Sequence, residues 1–213
     1  MIDNVEQPVD EAGEPANTTS VSESVSVSEG APDQPVQSVA AGGTASAIPF
    51  SHWAPAWFFD RGPSAWQYLL KLGLTAFLPS MMLGGLIVAV RIIAGAPIEG
   101  LGPDLSDVPP LRGFLLVVVF APVFETLILS LGIGFISLFT RRPMAIACIS
   151  AVAWGALHAL SFKVQGVVVT WPFFVFSCAY LAWRPLGWSK AYGMAMGLHM
   201  FQNFLPGLLL SLH

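Results

Sequence analysis

The chain has 213 residues, 54% of them hydrophobic and only 10% charged, with a formal net charge of −4. A water-soluble domain carries about 25% charged residues, so this composition excludes an ordinary soluble protein and points to one that lives in a membrane. The negative charge is confined to the start: residues 1–50 hold eight acidic side chains and no Lys or Arg, which leaves nine basic and five acidic residues for the remainder.

Residues 1–48 are rich in Ser, Val, Pro, Glu and Ala, carry the near repeat "SVSESVSVSEG" and contain no aromatic residue. Such a segment buries too little apolar surface to offset its ordering entropy, and it reads as a disordered acidic tail. Its first ten residues lack the basic start and apolar stretch of a signal peptide, so insertion is expected to use a later apolar helix. The following "IPFSHWAPAWFFDRGPSAW" turns abruptly to aromatics and prolines, as suits a lead-in lying at the membrane interface, where Trp rings settle.

From there residues 49–213 read as an all-α transmembrane bundle. Five apolar runs have the length of about 20 residues that a hydrocarbon core requires, at about 66–94, 112–139, 143–161, 164–183 and 190–212. Pro79 and Pro172 fall inside the first and fourth and are expected to kink them, which lipid tolerates when neighbours satisfy the freed carbonyls. Gly193 and Gly197 are spaced for a close helix contact in the fifth. Arg61, Lys71, Arg141, Arg142, Arg184 and Lys190 fall on one side of these spans and Arg91, Arg112 and Lys163 on the other. The positive-inside rule then puts the tail in the cytoplasm. Cys148 and Cys178 lie in apolar runs and read as packed hydrophobes rather than a disulfide.

Inside the spans polar groups are few. Glu125, in "APVFETLILS", is the one acid within a span, and an acid near the bilayer centre costs about 3 kcal/mol even on lenient insertion scales. His52 and His213 flank the membrane part, which leaves His158 in the third span and His199 in the fifth, with Asn203 one turn beyond His199 on the same face. Each imidazole or amide alone is equally explained by an interhelical hydrogen bond worth about 0.6–2 kcal/mol. Together the four are most economically read as one site in which Glu125, His158, His199 and Asn203 turn inward toward a shared wet cavity. Gln202, on another face, reads as structural, while Thr126, Ser130 and Ser161 can bond to their own helix backbone.

This set suits hydrolysis. A carboxylate can activate a water as general base, a histidine can orient it or share its proton, and Asn203 with an imidazole N–H can donate to an oxyanion. Direct glutamate catalysis, with no cofactor, is the preferred reading. The alternative is a zinc ion held by Glu125, His158 and His199 with water in the fourth position, although no His-Glu-x-x-His spacing marks it.

The order "APVFETLILS", "WGALH", "GLHMFQN" resembles the CPBP family of intramembrane proteases, which comprises CAAX proteases and bacteriocin-processing enzymes and is also called Abi. That family carries E-E-x-x-x-R, aromatic-x-x-x-H and H-x-x-x-N/D motifs. Glu125 falls on the first glutamate, Trp154 and His158 on the second motif, and His199 and Asn203 on the third, over about residues 112–210. The resemblance implies a membrane-embedded endopeptidase in which the glutamate and the second-motif histidine activate water, and the third-motif pair stabilises the oxyanion. The chain departs at Thr126, in the second glutamate's place, and at Ser130, in the arginine's. Losing both charges together leaves no orphan charge in lipid.

The expected partners are the lipid bilayer and a membrane-associated peptide or protein substrate, not nucleic acid. Two readings of other classes compete. One is a small proton-coupled transporter, since Glu and His chains also make proton relays, though no repeated half is visible. The other is a catalytically inactive interaction protein with the bundle as anchor.

Overall fold

The computed structural model describes residues 56–62, 64–97 and 103–212. The chain divides into Met1–Ala45 and Ser46–His213, and the description concerns the second unit. The acidic tail, His52, Glu99 and His213 lie outside the described residues.

Among the described residues the fold is entirely helical. A single turn, Ala56–Phe59, precedes five long helices: α1 (Ala65–Ile93), α2 (Pro110–Ile136), α3 (Pro143–Ser161), α4 (Lys163–Trp183) and α5 (Trp188–Leu210). Local chemistry sets their starts. The Ser64 hydroxyl caps α1 by accepting the Gln67 amide at 3.2 Å, and Pro110 and Pro143 occupy first-turn positions that lack an intrahelical partner anyway. Phe162 alone, extended at φ −141°, turns α3 into α4. Gly187, at φ +115°, turns the chain into α5 through a conformation that a side chain would oppose.

Four of these helices, α1 to α4, are long and apolar enough to cross a membrane. The fifth expected span forms as α5, 23 residues long, but it falls short in apolarity. His199, Gln202 and Asn203 lower its mean hydropathy, and the first two are buried inside the bundle. The outer surface confirms the environment: Met82 and Ile93 on α1 are 75% and 87% exposed, and Leu78, Leu86 and Val90 flank them. Such a continuous apolar face suits lipid, not water.

α4 is the central element, with 56% of its apolar stretch buried against 11% for α1. It forms the tightest pair with α3 and also packs on α1 and α5, while α2 packs on α5 and α3. Glycines govern the α3–α4 approach. A Cβ on Gly166 would meet Ala159 Cβ at 2.6 Å, and one on Gly155 would run into the Thr170 hydroxyl. In α5 the expected small-residue contact is only half realised, since Gly197 meets Leu69 whereas Gly193 faces open space. Gly207 is instead the close approach, where a Cβ would lie 2.5 Å from Val118.

The interior prolines do not break their helices. Pro79 has no N–H for the Thr75 carbonyl, and the Trp171 indole on α4 donates to that carbonyl at 2.7 Å. The lead-in is anchored in the same way: Tyr68 donates its hydroxyl proton to the Phe58 carbonyl at 2.6 Å, with Phe58 buried against Phe174.

Candidate functional site

Three helices bring polar side chains to one place. Glu125 Oε2, on α2, lies 3.8 Å from His158 Nε2 on α3 and 3.6 Å from His199 Nε2 on α5. Both gaps exceed the 2.7–3.2 Å of a direct N–H···O bond. His199 is almost fully buried. Glu125, His158, His199 and Asn203 all line a cavity of about 650 Å³, whose apolar walls include Phe120 and Phe124. A second hollow of about 320 Å³ reaches the same Glu125–His158 pair from the α3–α4 corner.

Aromatic packing fixes the imidazoles. Trp154 stacks flat on Phe173, with centroids 4.6 Å apart, and Phe173 contacts both His158 and His199. His158 Nδ1 lies 3.0 Å from the Trp154 carbonyl. A carbonyl only accepts, so Nδ1 carries the proton there, and in the neutral ring Nε2 turns a lone pair toward Glu125.

Backbone geometry around Glu125 is irregular for a reason visible in the sequence. Within α2, residues Leu116–Phe120 form a π-helical segment, and the Ala121 N–H bonds to the Leu116 carbonyl. The Val117 carbonyl thereby loses its α-helical donor, and the next amide along belongs to Pro122, which has none. The Asn203 side chain fills the vacancy, donating from Nδ2 to Val117 O at 3.0 Å. Asn203 therefore does reach the cavity, as expected, but one of its amide protons is already committed to α2. Tyr192 adds a second tie from α5, donating to the Val123 carbonyl at 2.9 Å.

Two residues take on more than the sequence shows. Thr126, which can bond to its own helix, is buried with Oγ1 3.4 Å from His199 Nδ1. It stands where the resembled family has a second glutamate, and that coincidence was the available signal. Gln202 is structural as expected, donating from Nε2 to Ser80 Oγ at 2.7 Å, yet it also lines the cavity. Ser130 does bond back to its own helix, donating to the Leu127 carbonyl.

Glu125, His158 and His199 supply suitable atom types, but among the described residues no three His, Cys, Asp or Glu side chains are grouped so as to hold an ion. The arrangement offers a carboxylate oxygen flanked by two imidazole nitrogens on the wall of a cavity of about 650 Å³. In comparisons with known proteins, the chain matches no family model, no curated protein and no solved structure.

Proposed function

We propose that this membrane protein is an intramembrane endopeptidase of the CPBP kind, which hydrolyses peptide bonds of membrane-associated substrates with a glutamate-activated water. The observation that carries the reading is the placement of Glu125 Oε2 between His158 Nε2 and His199 Nε2 on the wall of a cavity inside the helical bundle.

In this reading a water sits within reach of Glu125 and the lone pair of His158. Glu125 takes one of its protons as the oxygen attacks the peptide carbonyl, forming a tetrahedral oxyanion. The Thr126 hydroxyl donates to His199 Nδ1, so that His199 carries its proton on Nε2 and offers it to the oxyanion, together with the second amide proton of Asn203. Collapse breaks the C–N bond, and the proton held by Glu125 passes to the leaving amine. The products are a carboxylic acid, which ionises by releasing the second water proton to solvent, and a free amine.

The apolar cavity walls favour a substrate that already resides in the bilayer. Met81 of α1 and Phe124 of α2 both line the cavity, and α1 packs on α4 and α5 rather than along α2. A CAAX-type chain terminus or a bacteriocin-like peptide has the required apolar character. The protein would reside in the cell's inner or plasma membrane with its acidic tail in the cytoplasm.

The test is to compare the membrane peptidome of cells with and without the protein, then to reconstitute the purified chain with peptides spanning any new cleavage site. Cleavage that survives exhaustive chelation supports glutamate acting alone. Loss on chelation with recovery on zinc addition would overturn that mechanism, and solute flux across liposomes without cleavage would replace the hydrolase reading with transport.

A further inference from the structure

At the end of the bundle where the 137–142 connection meets the turn after α4, Arg141 and Arg184 line a single pocket of about 290 Å³. Ser137 and Thr140 form its hydroxyl-bearing side, and Ile146 and Leu181 its apolar side. Among the described residues the ion pairs involve only Glu125 with the two histidines, so none of the described carboxylates pairs with either guanidinium. Both arginines are exposed, so the pocket presents two guanidiniums that an anion arriving from outside can meet.

The fold suggests which one. Arg141 follows the end of the membrane-length helix Pro110–Ile136 and Arg184 lies in the last turn of Lys163–Leu186, and the ends of helices of that length meet the headgroup layer of a bilayer they cross. A guanidinium fork matches phosphate oxygens in a bidentate way that an ammonium does not. The Thr140 hydroxyl, which accepts from the Arg142 amide at 3.3 Å, keeps its proton to donate to the same group, and Ile146 and Leu181 offer a wall for a hydrocarbon chain. Inorganic phosphate shares the anionic chemistry but has no use for that wall.

We propose that this pocket binds the phosphate headgroup of an anionic membrane lipid, with the first carbons of an acyl chain against Ile146 and Leu181. The site stands apart from the Glu125 cavity and does not depend on the hydrolase reading.

Native mass spectrometry of the full-length protein in neutral detergent tests it, with short-chain phosphatidylglycerol, phosphatidylcholine of the same chains, and inorganic phosphate as probes. Phosphatidylglycerol should be retained roughly ten-fold more tightly than phosphatidylcholine, and the Arg141→Gln/Arg184→Gln protein should lose that preference. Arg91→Gln/Arg112→Gln, at the opposite end, should keep it. Should the glutamine pair fail to fold, Arg141→Lys/Arg184→Lys keeps the charge and loses the fork, and its preference should fall at least threefold. A preference unchanged in either double variant, or displacement of the lipid by inorganic phosphate at equal concentration, would overturn the assignment.

Discussion

The Asn203 side-chain amide donates to the backbone carbonyl of Val117 at 3.0 Å, joining α5 to the π-helical segment of α2 that lies just before Glu125. One residue on a partner helix thus satisfies a carbonyl stranded by a π turn and a proline together. Asn203→Leu should cost about 1–3 kcal/mol, the penalty for an unpaired buried polar group. The cost should shrink by more than half in a Pro122→Ala background, where a backbone N–H is available again. A double-mutant cycle on unfolding in mixed micelles measures the coupling; additive losses would mean that Asn203 does not serve the stranded carbonyl.

Trp171 and Thr75 form the same kind of pair around Pro79, away from the site. Trp171→Phe keeps the ring and removes the donor, so it should destabilise the bundle by about 1–2 kcal/mol. Cleavage of any substrate should be retained, which makes this variant the control for losses of stability that do not touch chemistry. Thermal unfolding and turnover measured on one preparation separate the two effects.

Thr126 selects the tautomer of His199 in the proposed mechanism. Thr126→Val should lower kcat roughly ten-fold with little change in KM, because the missing bond acts on a donor needed in the transition state. Thr126→Ser, which keeps the hydroxyl, should restore most of the rate. Equal loss in both variants would assign Thr126 to packing alone.

Gly166 and Gly155 set how closely α4 approaches α3, and α3 carries His158 three residues before its end. Gly166→Ala puts a methyl into Ala159 and should cost about 1–3 kcal/mol. The same displacement moves His158 relative to Glu125, so activity should fall further than the fraction unfolded accounts for.

Much of this arrangement was legible in the sequence. Hydropathy placed the helices close to where they form, because burial in lipid dominates every other preference, and the scarcity of polar groups singled out Glu125, His158 and His199 as neighbours. The rest depended on geometry that linear spacing does not encode. The apolarity of α5 is diluted by His199 and Gln202, which are hidden inside the bundle, so the fifth span is weaker by composition than its packing warrants. Pro122 marks the place of the π segment, but the donor that satisfies the Val117 carbonyl, Asn203, comes from the partner helix. The Thr126 contact is not legible because nothing in the chain order says that His199 will pack beside it.

The central claim is that the Glu125 carboxylate is the base. Glu125→Gln preserves shape and removes basicity, so the variant should insert, purify and unfold as the parent does while cleaving a reconstituted peptide substrate at least 10³-fold more slowly, consistent with the rate that general-base catalysis supplies. A well-folded Glu125→Gln protein that cleaves at close to the parent rate would contradict the account.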